Sequence, residues 1–347
     1  MSSQFSRRDF LKLGGLSMAG LAFMPYTSKA IAFDDSDVVR VATTSVSVYA
    51  SPSDKAAITG TWYKDDLVHV YEQVVADEPD YNRIWYRVWG GYMHRARLQR
   101  VKTILNVPIN AMPEGKRLLA EVTVPFVHPW RKTSAGWDDS LQFRLYYESV
   151  YWIEAVELDG PDGEPWYRIW DDLASTYYAP ARFLRPIPDE ELTPINPEIT
   201  DKHIDVNLTT QHLSAYESGK IIFQTNISSG IPYGKTATSA GKFNVDPKTP
   251  TKHMGNGNLF AGADDYELPG VPWTSFFTGD GQAFHGTYWH ENFGTPMSHG
   301  CINMRTSEAK WIFRWGGPAY NVSELLDVTN ARSREVHGLG TSVEVHY

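Results

Sequence analysis

A near-duplicated tract, WYRVW at 85–89 and WYRIW at 166–170, constrains this chain more than any other feature. Trp85, Tyr86, Arg87 and Trp89 align with Trp166, Tyr167, Arg168 and Trp170, and Tyr92 and Leu98 align with Tyr178 and Leu184. Upstream, DLVHVYEQV (66–74) parallels ESVYWIEAV (148–156), and each unit closes on x-R-x-L. Self-similarity at such a spacing marks a duplicated structural unit. Alternating Val, Tyr and Trp fit half-buried strands, where branched and aromatic side chains pack on a pleated surface. With 21 prolines and 27 glycines in 347 residues, the chain favours short strands and turns over long helices. The length calls for two or three domains. The repeated aromatics are read first as core, because aromatics dominate small cores.

The units at 38–103 and 104–188 resemble bacterial Src-homology-3-like barrels, modules found in many cell-wall proteins. That resemblance implies two tandem small β-barrels that hold a wall polymer or shape a substrate groove. RPIPDEELTPINPEIT follows, and its prolines predict a semi-rigid linker, 189–200, that fixes the orientation of the last domain. From 201 to 347 the pattern restarts. HIDVNL and HLSAYE alternate, Glu217–Lys220 is a turn, and IIFQTNIS is a third strand, which predicts a β-meander opening a mostly antiparallel domain. The glycine-rich run at 253–272 reads as one long loop, disordered or a functional lid.

A net charge of -9 argues against nucleic acid as a partner, since phosphate binding needs a basic face. One cysteine excludes a disulfide scaffold and any cysteine-rich metal site. Residues 1–32 have the parts of an export signal: Arg7 and Arg8, an apolar stretch from Phe10 to Met24, and an A-x-A site ending at Ala32. SRRDFLK resembles the twin-arginine signal, which implies the twin-arginine export machinery as a partner and an extracytoplasmic location. An exported lone thiol has no internal disulfide partner, so Cys301 calls for another purpose.

Cys301 stands in SHGCIN, with His299 two residues before it and His285 further upstream in AFHG. A thiol is mostly protonated near neutral pH, and a neighbouring imidazole converts it to the nucleophilic thiolate. Gly300 permits a tight turn, which would aim the amides of Gly300 and Cys301 at an incoming carbonyl oxygen. RTSEAKWIFRW predicts a short helix after the cysteine, capped by Thr306 or Ser307, with Ala309, Ile312 and Phe313 on one face and GGP at 316–318 as its stop.

H-G, a spacer and S-H-G-C-I-N resemble the L,D-transpeptidase family of peptidoglycan cross-linking enzymes, over about 202–347. TSAGKF at 238–243 stands where the family has a threonine–proline–x–glycine–x–phenylalanine segment, with Ser239 and Ala240 replacing the proline region. The resemblance implies a ping-pong acyl transfer with no cofactor. Cys301 attacks the third residue of a tetrapeptide stem and releases D-alanine, and a stem amine resolves the acyl-enzyme. It implies that carbapenems acylate the same sulfur. It implies His285 as general base, held in its tautomer by the Gly286 carbonyl, with Ser298 and His299 ordering the loop. Asn303 and Arg305 are candidates for the substrate carboxylate, and Tyr288, Trp289 and Trp273 for the cleft wall. His290 and His253 read as groove or surface residues. The other readings are a carboxypeptidase or wall-trimming hydrolase using the same acyl-enzyme, and a wall-binding protein without activity. A papain-like endopeptidase fits poorly, because there the histidine follows the cysteine. A zinc site of His285, His290, His299 and Cys301 matches no familiar ligand spacing.

Overall fold

Tyr86 and Tyr167 occupy equivalent registers in two β units of matching topology. The computed structural model describes residues 31–32, 37–173, 175–233, 236–255, 267–330 and 334–347. The expected export signal lies outside these, apart from Ile31 and Ala32, which pair antiparallel with Leu105 and Ile104. In the first repeat, strand Ile84–Val88 pairs with Glu72–Val75 on one side and Gly91–His94 on the other. In the second, Trp166–Asp171 lies between Val150–Glu157 and Ser175–Pro180. Arg87 faces Tyr92, and Arg168 faces Tyr178. The closing tracts, RARL at 95–98 and ARFL at 181–184, of which only the second has the x-R-x-L spacing, each form a 3₁₀ turn, Arg95–Arg97 or Ala181–Phe183, leading into a strand that pairs antiparallel with Val38–Val41 or Leu118–Val122. The equivalence breaks in two places. The 66–74 tract splits into strands Leu67–His69 and Glu72–Val75 in different sheets, whereas its counterpart is one bulged strand. The second unit also carries two extra hairpins, at 126–146.

Most repeated aromatics are core. Trp85, Tyr86, Trp166 and Tyr167 are buried, but Trp89 is 79% exposed while its counterpart Trp170 is partly covered. Alternation explains this, since Trp89 falls in the turn after its strand, beyond the point where the pleat alternates.

From Lys202 the expected meander appears: Lys202–Asn207, His212–Glu217 and Lys220–Asn226 pair in sequence, with Ser218 and Gly219 both at positive φ in the turn. The sheet is completed by Ser342–His346, which lies parallel to Lys202–Asn207 and antiparallel to Gly241–Asn244. A second sheet runs Lys248–Gly255, Glu267–Phe276, Ala283–Gly286, Ile302–Met304. The glycine-rich run is therefore not one loop. Its flanks, His253–Gly255 and Glu267–Pro272, belong to a paired hairpin, because β-branched Thr249, Thr251 and Val271 continue the ladder into it. The helix Thr306–Trp315 packs on this sheet through Thr306, Ala309, Ile312, Phe313 and Trp315. Arg305, not Thr306 or Ser307, is the N-cap, and Gly316 ends the helix. No helix among the described residues is long and apolar enough to cross a membrane.

The proline-rich segment is docked, not free. Leu192 is fully buried in the C-terminal core. Arg314 donates to the Thr193 carbonyl, and Glu191 joins Arg185 to Lys310. Leu119, Val150 and Trp152 of the second repeat enter the same hydrophobic core as Ile302, Met304 and Phe313. Arg40 of the first repeat, 1% exposed, pairs with Asp65 and donates to the Tyr288 carbonyl at 2.8 Å, and its guanidinium lies 3.9 Å from the Tyr146 ring centre. Residues 31–347 thus share cores and buried ion pairs. Trp152→Ala is expected to cost about 3–5 kcal/mol by urea unfolding. Thiol accessibility at Cys301 should shift at the same urea concentration as tryptophan fluorescence; two separate transitions would show that the units unfold independently.

Candidate active site

Ala283–Gly286 and Ile302–Met304 form a short parallel pair in which Phe284 faces Ile302, His285 faces Asn303 and Gly286 faces Met304. Phe284, Ile302 and Met304 are fully buried, as parallel strands covered on both faces require. Side chains alternate across a strand, so Phe284 and Ile302 take one face while His285, Asn303 and Cys301 share the other. Cys301, just before its strand, stands two residues ahead of Asn303, the register partner of His285. Its thiol is half-buried, with Sγ 3.9 Å from the Gly281 carbonyl oxygen.

The His285 ring is buried, and its Nδ1 lies 3.0 Å from the Gly286 carbonyl oxygen. A carbonyl only accepts, so Nδ1 carries the proton and Nε2 is left as a lone-pair acceptor. Burial pulls the His285 pKa down to about 4, partly offset by that hydrogen bond. Burial also pushes the Cys301 thiol up; the Ala283 amide counteracts this and the Asp280 charge adds to it. Both charged forms are disfavoured, so the resting pair is neutral thiol and neutral imidazole, not the thiolate expected from sequence. In such a pair proton transfer accompanies bond formation, which is general-base chemistry.

The loop before the cysteine is braced from several sides. The Ser298 hydroxyl donates to the Cys301 carbonyl and accepts from the Gly300 N–H at 3.1 Å. The Gly300 amide is therefore engaged and is not an oxyanion donor in this conformation; the Cys301 amide is the remaining candidate. Gly300 has φ +124°, which disfavours any side chain, and a Cβ there would meet the Gln282 side chain at 3.4 Å. The Thr238 hydroxyl donates to the Gly300 carbonyl and accepts from the Gly230 N–H, both at 2.8 Å. Gln282 takes the Ser239 amide at 2.9 Å and donates to its hydroxyl. Thr238 is the threonine of the TSAGKF segment, and the loss of the proline beside it leaves this brace intact. Gln282 had no sequence signal.

Several expected site residues lie elsewhere. Trp273 is core, its ring 5.4 Å from Phe313 under the helix. Tyr288 is buried against Tyr146, with its hydroxyl on the Pro269 carbonyl. Asn303 is 1% exposed and faces His290, so it cannot meet a substrate. Arg305 pairs with Glu308 and covers Phe293. His299 is exposed on the loop. The half-buried aromatic against His285 is Trp289, at 5.6 Å between ring centres. Apolar strand neighbours explain these placements: Trp273 and Tyr288 fill gaps between units that the sequence treats as separate. Among the described residues the only group with metal-ligand spacing is Asp171, Asp172 and His253, so the four-residue zinc arrangement is not assembled. His253 is buried between Asp171 and Glu267, 3.0 and 2.7 Å away, and is not a surface residue.

His290 is buried too. Its Nδ1 accepts from the Asn292 N–H at 3.1 Å, so Nε2 carries the proton; Nε2 lies 2.8 Å from Asn303 Nδ2, and because two donors cannot share that contact the amide must turn to present its oxygen, which otherwise has no partner. Burial first, then Arg97 and His285, pull its pKa down to about 3. A histidine buried neutral contributes stability that is present above its unfolded pKa of 6.5 and lost as pH falls towards the folded value. His290→Gln keeps the amide contact and removes the titration. Its unfolding free energy should lose about 1.4 kcal/mol per pH unit less than the parent between pH 6 and 4; equal slopes would place the imidazole's titration elsewhere. Gly300→Ala should slow Cys301 alkylation by iodoacetamide or shift its pH profile while the melting temperature moves little; an unchanged alkylation profile would show that the loop tolerates a side chain.

The model of the L,D-transpeptidase catalytic domain (YkuD) matches residues 201–345. Two Bacillus subtilis proteins named for the L,D-transpeptidases are similar. YqjB is 30% identical over 125 residues, 34% of this chain and 68% of its own. YciB is 31% identical over 130 residues, 34% of this chain and 63% of its own, so the chain spans under two thirds of that relative. A solved cysteine-to-serine mutant of Enterococcus faecium L,D-transpeptidase is 28% identical, over 43% of this chain and 50% of that one, with a TM-score of 0.31.

Proposed function

The chain belongs to the L,D-transpeptidase family, and from that premise we propose that it is a cysteine acyltransferase acting on peptidoglycan stem peptides. The observation that supports this reading is the parallel pairing of Ala283–Gly286 with Ile302–Met304, whose register puts His285, with its Nδ1 on the Gly286 carbonyl, on the same face as the lone thiol. In the proposed first half-reaction, Sγ of Cys301 attacks the carbonyl carbon of the third stem residue while His285 Nε2 takes the thiol proton. The Cys301 amide donates to the developing oxyanion. The peptide C–N bond breaks, His285 returns the proton to the departing D-alanine amine, and a thioester remains. In the second half-reaction the amine of a neighbouring stem attacks the thioester, His285 takes its proton, and the thiol is regenerated. No cofactor enters. The neutral resting pair favours this order, because a buried thiolate with no substrate would be costly.

The substrate places the protein outside the cytoplasm, with residues 1–32 as its twin-arginine address. The repeats are read as Src-homology-3-like modules, fused to the catalytic unit through Arg40, Trp152 and the docked proline-rich segment. Asp171 and Asp172 tie the second module to the hairpin through His253, whose other ring nitrogen meets Glu267 of the hairpin itself.

Incubating the mature chain with a carbapenem should add one acyl mass, and Cys301→Ala should not gain it; an adduct on the variant would refute the nucleophile. His285→Gln should slow acylation by about 10²–10⁴-fold, the usual weight of a general base. For the parent, the acylation rate should be nearly flat from pH 5 to 7 and fall as pH drops through about 4, where His285 becomes protonated. Purified tetrapeptide muropeptides should yield cross-linked dimers and free D-alanine by mass spectrometry; tripeptides alone would assign a hydrolase instead.

A further inference from the structure

Thr287 and His290 also line a second cavity, of about 340 Å³, to which Cys301 does not contribute. It is closed by Tyr86, Arg95 and Arg100 of the first repeat, by Glu148 of the second, and by the N-terminus of the helix 306–315 with Arg305. Three features there remain unexplained by folding alone.

The first is charge. Arg95, Arg100 and Arg305 converge, and the Arg95 guanidinium is held below its usual value by burial and by the other two arginines, against the pull of Tyr86 and Glu291. Two carboxylates face the three guanidiniums: Glu291, which accepts from the Arg100 backbone N–H and the Tyr86 hydroxyl, and Glu308, which pairs with Arg305. Burial pushes the Glu148 carboxyl up to about 7, so near neutral pH it is only partly ionised. The second is unmade hydrogen bonds. Thr287 and Thr306 are 6% and 7% exposed, and neither hydroxyl has a partner; Thr306 faces Glu148 without reaching bonding geometry. The Arg95 Nε is buried and unpartnered as well. Buried polar groups of this kind are rarely left so, because each costs about 1–3 kcal/mol. The third is the ten-residue helix, whose first amides at Thr306 and Ser307 have no carbonyl partner within the helix and carry its positive pole.

We propose that this cavity binds a small oxyanion, a phosphate or carboxylate group, at a site distinct from Cys301. Guanidinium forks, hydroxyl donors and a helix N-terminus are the groups that recognise such an anion. The cavity lies between three parts of the chain, so its occupant joins both repeats to the catalytic unit. It is independent of the acyl-transfer chemistry.

Titrate the full chain calorimetrically with sodium phosphate, and separately with sodium acetate, at constant ionic strength maintained with chloride. One saturable site is expected. Tighter phosphate binding assigns a phosphoryl ligand, and tighter acetate binding a carboxylate. Arg95→Gln should weaken binding at least about tenfold, the loss of one charge-assisted contact. Thr287→Val keeps the shape, so without anion it should melt no lower than the parent, yet it should bind about two- to tenfold more weakly. That pairing separates a ligand contact from a structural one, and it stands if Arg95→Gln does not fold. No saturable binding of either anion to the parent, or unchanged affinity in Thr287→Val, overturns the proposal.

Discussion

Two parallel strands, Ala283–Gly286 and Ile302–Met304, carry the constraint on which the rest depends. A parallel pair needs a crossover, and here the crossover is the loop holding Trp289, His290, Ser298 and Gly300. The apolar face of the pair, Phe284 and Ile302, is anchored in the core; its other face presents His285 and the residue before the second strand. Slipping the register by one residue would turn the imidazole into the core and the phenylalanine into the cleft. The buried Ile302 and Met304 therefore fix the chemistry as much as the reacting groups do.

The electrostatics follow from that burial. A site dry enough to hold His285 near pKa 4 is also too dry to store a thiolate. On the proposed mechanism, activation is deferred to the moment when an electrophile arrives and charge can be shared with the Cys301 amide. The surrounding hydrogen bonds hold geometry instead of charge: Ser298 closes the loop on itself, Thr238 ties the Gly300 carbonyl to a second segment, and Gln282 holds that segment at Ser239.

Where a residue's role depended on local pattern, the sequence was informative. The duplicated WYR tracts, the opening meander, the helix after Cys301 and the SHGC loop all have short-range signatures. What stayed hidden depends on contacts across units. Arg40 gives no local hint that it is buried between Asp65, Tyr146 and the Tyr288 carbonyl. Trp273 and Tyr288 looked like cleft aromatics, but the repeats press against the catalytic unit and make them filler. The proline content of 189–200 suggested an extended linker, whereas the segment opens with a 3₁₀ turn at Asp189–Glu191 and buries Leu192. His290 required the structure, since its two ring nitrogens are assigned only by Asn292 and Asn303.

The strand Ser342–His346 sits between Lys202–Asn207 and Gly241–Asn244. Its neighbours both precede it by about a hundred residues or more, and they pair with it and not with each other. A nascent chain must therefore keep two open sheet edges waiting, a template for wrong partners, until translation supplies the missing middle. Removing this one strand would therefore leave a split sheet rather than a slightly smaller one.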